Sequence, residues 1–137
     1  MPTVAEVMTT NPFSITMDTS LGDAMNVCSD KRIRHLPVVN EQGILTGLVT
    51  DRDLRQFISP RIGTISENNT DREWLKRPVH LMMVRQAVFT GPDASLSEAA
   101  SLMLMHRIGC LPVCDAEKRM VGIITNTDLI RYIAEQT

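Results

Sequence analysis

Two stretches, "GLVTDRD" at residues 47–53 and "GIITNTD" at 122–128, share one pattern: glycine, two aliphatic residues, threonine, two variable residues, aspartate. Around them the chain repeats itself. A shift of 75 positions aligns it without a gap from Val7 to Arg55, with Met8 on Met83, Asp18 on Asp93 and Ser20-Leu21 on Ser95-Leu96. The match continues through Ala24 on Ala99, Arg32-Ile33 on Arg107-Ile108, "LPV" at 36–38 on "LPV" at 111–113, and Asp53-Leu54 on Asp128-Leu129. Two copies are too few for a solenoid, so two similar units packed about a pseudo-two-fold axis are expected.

Each copy carries the same run of local signals. A short extended piece ("FSIT", "AVFT") leads into an Asp-bearing turn. Ser20 and Ser95 then stand three residues before Asp23 and Glu98, the spacing of a helix-starting capping box. Leu21, Ala24, Met25 and Cys28 share one helical face, as do Leu96, Ala99, Ala100 and Met103. The second helix is apolar on more than one side, because "LMLM" at 102–105 runs around it, and such a helix needs cover on two sides. An aliphatic strand follows ("LPVVN", "LPVCD"), with proline expected near its first residue. A four-residue polar turn ("NEQG", "DAEK") then returns the chain into "ILTGLVT" or "RMVGIIT" as a hairpin. A closing helix ends each copy, "DLRQFI" and "DLIRYIAEQ". The expected class is α+β, with the order β-α-β-β-α twice.

Residues 1–60 and 79–137 are read as the two repeats, joined by a connector at 61–78. Pro60 and Gly63 break the chain there, and Thr70 with Glu73 has capping-box spacing before "REWLK", so a short helix carrying Trp74 is expected to dock at the joint.

The paired Thr-x-x-Asp admits two readings. As a helix cap, the hydroxyl accepts from a backbone N–H and the carboxylate suits the positive end of the helix. As a binding motif, the strand end and helix start offer N–H groups to a phosphate, and the carboxylate can accept two hydrogen bonds from a vicinal diol such as that of ribose. Gly47 and Gly122 favour a close approach to the strand backbone, since glycine otherwise weakens a strand.

With these features the sequence resembles CBS domains, the family named for cystathionine β-synthase, in the tandem arrangement called the Bateman module. The resemblance covers about residues 5–135 and rests on the repeat order, the "LPV" strand and the doubled glycine-aliphatic-aliphatic-Thr-x-x-Asp ending. It implies two clefts for adenosine-containing ligands: AMP, ADP or ATP, S-adenosylmethionine or NAD. By this resemblance Asp53 and Asp128 hold ribose, with Thr50 and Thr125 contacting ribose or phosphate. Adenine contacts are expected around Ser14, Ile15, Pro37, Val38, Phe89, Pro112 and Val113. The resemblance further implies a regulatory, energy-sensing role, a homodimer of CBS pairs, and an effector protein that reads ligand occupancy. The alternative is a structural dimerisation module with vestigial clefts, and no catalytic residues are expected in either case.

"KRIRHLPV" sets Lys31 and Arg32 near the end of the first helix, where cations suit the dipole. Arg34 and His35, with Arg52, are candidates for phosphate contact, arginine being suited to a phosphate fork. The second copy has Gly109-Cys110 and Asn126-Thr127 at the matching positions, so the two motifs are expected to differ.

Composition narrows the classes. Net charge is −2 and aromatics are 4%, which argues against nucleic-acid surfaces. No apolar run approaches the ~20 residues needed to cross a bilayer, and the start of the chain lacks a secretory pattern. Three cysteines form no disulfide framework, and a cytoplasmic location is the simplest expectation. No metal is expected: Cys110 and Cys114 on one strand would stand about 13 Å apart, at ~3.3 Å per residue, too far to share a tetrahedral ion. His80 and His106 have no partner at a recognisable catalytic spacing.

Overall fold

The structure, a computed structural model, describes residues 2–57 and 61–136. In chain order it contains helix α1 (Val4–Val7), strand β1 (Thr9–Thr10), helix α2 (Leu21–Lys31), strands β2 (His35–Val39) and β3 (Leu45–Thr50), and helix α3 (Asp51–Phe57). Then come helix α4 (Asn69–Leu75), a 3-10 turn at Val79–Leu81, helix α5 (Leu96–His106), strands β4 (Cys110–Cys114) and β5 (Met120–Thr125), and helix α6 (Asn126–Glu135). The class is α+β, as expected. Ile58 and Pro60, cited above for the closing helix and the chain break, lie outside the described residues.

The helix starts follow from local chemistry. Ser20 and Ser95 accept from the backbone N–H of Asp23 at 3.1 Å and of Glu98 at 3.0 Å. Both helices end on an arginine in the left-handed conformation, Arg32 at φ 54° and Arg107 at φ 55°, and the next residue's N–H turns back to Cys28 or Met103. That backward bond satisfies carbonyls left open at the helix end. The apolar stripes point inward: Leu21, Ala24 and Cys28 are buried on α2, and Leu96, Ala99 and Met103 on α5.

Several expectations need correction. The hairpin connections have five residues, 40–44 and 115–119, each with one left-handed residue: Gly43 at φ 78° and, in the matching place, Lys118 at φ 64°. The helix at the joint is capped by Asn68 and Asp71, not by Thr70 and Glu73; Asn68 Oδ1 accepts from the Asp71 N–H at 2.9 Å, and Asp71 answers at 3.1 Å. Asp71 is buried and also accepts from Arg61 at 2.9 Å, a further tie that selects this register. The leading strand of each repeat shrinks to one parallel bridge, Ile15 to Val38 and Thr90 to Val113. Proline stands mid-strand, at Pro37 and Pro112, rather than near the first residue. The strand tolerates it because Pro112 turns its missing donor to the side where only Thr90 pairs, through Thr90 N–H to Pro112 O at 3.0 Å.

The chain divides into two compact units that cut across the repeats. One comprises Met1–Pro12, Glu41–Leu45 and Val88–Thr137; the other comprises Phe13–Asn40 and Thr46–Ala87. In the first, the sheet order is β1-β5-β4, antiparallel throughout, with Thr9 opposite Ile123 and Thr10 opposite Gly122. Its core gathers Val4, Leu96, Ala99, Met103, Leu111, Val113 and Ile124, with Val7 and Met8 packed against them. In the second, β2 pairs with β3, and Leu48 bridges to Val84. Its core holds Leu21, Leu36, Val38, Val49, Leu54, Val79 and Met83, with Trp74 packed against it.

Candidate functional site

Both Thr-x-x-Asp motifs stand where a strand turns into a helix, β3 into α3 and β5 into α6. The turn is anchored alike in each copy: Asp51 N–H donates to the Arg34 carbonyl at 2.9 Å, and Asn126 N–H to the Gly109 carbonyl at 2.9 Å. Each threonine hydroxyl accepts from the backbone N–H of its aspartate, Thr50 at 3.1 Å and Thr125 at 3.2 Å. The capping half of the sequence reading therefore holds for both threonines.

The two carboxylates differ. Asp128 is 6% exposed, and both its oxygens are engaged: Oδ2 accepts from Thr125 N–H at 2.9 Å and Oδ1 from Arg131 Nη1 at 3.1 Å. Asp53 is half-buried, and among the described residues its carboxylate has no hydrogen bond or ion pair. Position explains part of the difference. Arg131 lies three residues beyond Asp128 on the same helix face, whereas the residue three beyond Asp53 is the neutral Gln56.

Beside the first motif lies an open depression of about 490 Å³ lined by Arg34, Asp51, Arg52, Arg55 and Gln56. Asp51 pairs with Arg55 at 3.4 Å, but the Arg55 side chain is 74% exposed, so the pair is solvent-screened and weak. Arg34 and Arg52 are exposed. The expected phosphate candidates Arg34 and Arg52 thus come together. His35 is half-buried in β2, and burial pushes its pKa below the ordinary 6.5, with Arg34 acting the same way and Asp51 opposing. The sequence reading passed over Arg55 and Gln56, although Arg52, Arg55 and Gln56 have the i, i+3, i+4 spacing of one helix face. At the positions of Arg34, Arg52 and Arg55 the second copy has Gly109, Thr127 and Ile130.

The adenine candidates fall into two groups. Ile15, Pro37, Val38, Pro112 and Val113 are buried. The Pro37 carbonyl accepts from Ile15 N–H at 3.0 Å, and the Val38 carbonyl from the Thr46 hydroxyl at 3.0 Å. Ser14 and Phe89 are exposed, with the Lys118 ammonium 5.5 Å from the Phe89 ring centre.

The strand glycines are explained by the chain itself. A Cβ on Gly47 would stand 2.7 Å from Met83 Sδ and 2.9 Å from the Val84 carbonyl. One on Gly122 would stand 2.6 Å from Met8 Sδ and 2.9 Å from the Thr9 carbonyl. The close approach inferred from the sequence is therefore present, and it is made by a methionine and a neighbouring backbone.

Burial raises all three thiols, Cys28 to about 11, Cys110 to about 12 and Cys114 to about 11. Cys110 and Cys114 end the same strand, β4, and among the described residues no group of three or more His, Cys, Asp or Glu side chains is placed to hold a metal ion. No helix among the described residues is long and apolar enough to cross a membrane.

The CBS domain family model matches residues 4–60 and 79–135, and the chain belongs to that family. A CBS domain-containing protein of Dictyostelium discoideum is 37% identical over 129 residues, covering 93% of this chain and 88% of that one. The homoserine O-acetyltransferase of Methanococcoides burtonii is 34% identical over 130 residues, but the match spans 95% of this chain and only 24% of the enzyme. Among solved structures, CBSX2, a CBS-pair protein of Arabidopsis thaliana, was crystallised in complex with AMP. It superposes with a TM-score of 0.83 at 26% identity, covering 98% of both chains.

Proposed function

We propose that this CBS pair is a regulatory module that binds an adenosine-containing ligand, AMP, ADP or ATP before S-adenosylmethionine or NAD, and relays occupancy to a partner protein without catalysing a reaction. The observation that carries this reading is Asp53: a half-buried carboxylate in a Thr-x-x-Asp turn, without a partner among the described residues, next to a depression bearing three arginines. A carboxylate so placed has lone pairs for a ribose diol. Hydrogen bonds to a charged group contribute about 1.5–3 kcal/mol each. The AMP complex of CBSX2 supports the choice of ligand class. Ligand and signal are linked only through differential affinity: the ligand shifts the module toward whichever shape binds it better.

Thermal melting against AMP, ADP, ATP, S-adenosylmethionine and NAD tests the reading. A ligand at 100 times its dissociation constant adds about 2.7 kcal/mol of stability. A ligand-free preparation that melts at the same temperature with all five would overturn it.

A second reading, a structural dimerisation module, draws on apolar side chains left in solvent on the two long helices of the second repeat. Leu104 and Met105 on α5 are 81% and 73% exposed, and Ile130 and Ile133 on α6 are 65% and 67% exposed. Exposed apolar clusters of this kind mark contact surfaces. Both readings expect a homodimer through these helices. They part over the nucleotide response, which the structural module lacks. Light scattering on Leu104→Lys and Ile133→Lys tests the dimer; a wild-type chain that stays monomeric at high micromolar concentration removes it.

A further inference from the structure

The chain carries two copies of one motif, and their side chains are in different states. In the second copy the Asp128 carboxylate is closed on both oxygens by Thr125 N–H and by Arg131, and it is 6% exposed. Each oxygen keeps a second lone-pair site, but at 6% exposure, with a backbone donor and an arginine already seated, the carboxylate presents almost no open surface to a diol. In the first copy nothing must be surrendered, because the Asp53 carboxylate is half-buried and has no partner among the described residues. Charge divides the copies in the same direction. Arg34, Arg52 and Arg55 line the depression beside the first motif, while Gly109, Thr127 and Ile130 occupy the matching positions of the second. Position 109 is also covered: a Cβ there would stand 3.2 Å from Asn126 Nδ2, so the Asn126 amide closes over the place where the first copy carries an arginine side chain.

We infer that the duplicated motif has divided its labour: Thr50–Asp53 alone takes the sugar of a ligand, and that ligand is a phosphorylated nucleoside, whereas Thr125–Asp128 is a permanently closed helix cap that takes none. This rests on the adenosine reading above and goes further by assigning one ligand per chain, by choosing the motif, and by requiring phosphate. The required chemistry is a vicinal diol for the carboxylate and at least one phosphate for the guanidinium groups, which suit phosphate oxygens as a fork.

Equilibrium dialysis of the full chain with radiolabelled ATP, AMP and adenosine tests it. The expected result is one ATP per chain, with adenosine weaker by about tenfold or more, a single charge-assisted contact being equivalent to roughly that factor. Asp53→Asn should abolish binding while lowering the melting temperature by no more than about 2 °C, the loss of a first-turn acid, since its carboxylate holds no partner among the described residues in the free protein. Arg52→Ala combined with Arg55→Ala should bring ATP down toward adenosine. Two ATP molecules per chain would overturn the inference while leaving the adenosine reading intact, and so would one molecule that survives Asp53→Asn. Equal affinity for adenosine and ATP would overturn the phosphate requirement. Absence of binding by all three compounds, and by S-adenosylmethionine and NAD, would instead remove the adenosine reading on which the inference stands. If Asp53→Asn fails to fold, the wild-type stoichiometry still tests the number of sites, and the double arginine variant tests the choice of motif.

Discussion

Replacing Asp128 by alanine and, separately, Asp53 by alanine compares the two motifs in the free protein. Asp128→Ala removes the acceptor of the Thr125 N–H at 2.9 Å and the partner of Arg131 at 3.1 Å. The Thr125 hydroxyl bond survives, because it uses the backbone of residue 128. Loss of the reciprocal cap, with its donor left in a partly buried place, costs about 1–2 kcal/mol. The ion pair adds at most about 0.5 kcal/mol, because the Arg131 side chain is 58% exposed and solvent screens it. Loss of a first-turn acid costs about 0.5 kcal/mol and alanine's better helix propensity returns about as much. The net is roughly 2 kcal/mol, or about 7 °C in Tm for a chain of this length. Asp53→Ala breaks no side-chain bond among the described residues, and Thr50 keeps its bond to the residue 53 N–H. Loss of a first-turn acid, about 0.5 kcal/mol, and the gain in propensity, about 0.5 kcal/mol, nearly cancel. Urea unfolding of both variants without nucleotide reads the difference directly. Equal destabilisation by the two substitutions would refute the distinction between a closed and an open carboxylate.

Gly122→Ala should destabilise by about 1–3 kcal/mol, since its Cβ would overlap the Thr9 carbonyl as well as the flexible Met8; an unchanged urea midpoint would contradict that packing. The three cysteines, buried and raised to about 11 or 12, should resist a thiol reagent at pH 7.5 in the native state and react together on unfolding. Rapid labelling of the folded chain would count against their burial. Burial holds His35 below the ordinary 6.5, so the unfolded chain binds its proton first as pH falls. That contribution to stability is therefore complete above the unfolded value and lost as pH drops below about 6.5 toward the folded one. Unfolding between pH 7.5 and 5 should show this loss, and His35→Gln should flatten it; a variant with the wild-type slope would assign the slope to other groups.

Much of this arrangement was legible in residue spacing. Ser20 and Ser95 cap their helices as read, and Leu21, Ala24, Leu96 and Ala99 face the core as read, because caps and stripes depend on residues three or four apart. At the joint, where Thr70 with Glu73 was the expected cap, the buried Asp71 with its Arg61 partner favours the Asn68 register, a tie between residues ten apart that helix spacing does not reveal. The tie between Asp128 and Arg131 was available as an Asp-x-x-Arg spacing. It reads as a difference between the two copies only because the Asp53 carboxylate has no partner among the described residues.

Sequence by itself determined the duplication, the α+β elements, the family, and the placement of a threonine and an aspartate at two strand-to-helix turns. The elements and the two turns are set by short-range periodicity and by hydrogen bonds within one helical turn, the duplication is read from the 75-residue shift, and the family from resemblance. Tertiary structure decided which segments share a core: residues 2–12 join the second repeat's unit, with Thr9 and Thr10 in its sheet, and Met8 and Met83 fill the spaces above Gly122 and Gly47. It also decided that Arg34 meets Arg52 and Arg55 around one depression. Such contacts join residues far apart along the chain, and their geometry follows from packing, where no local spacing rule reaches.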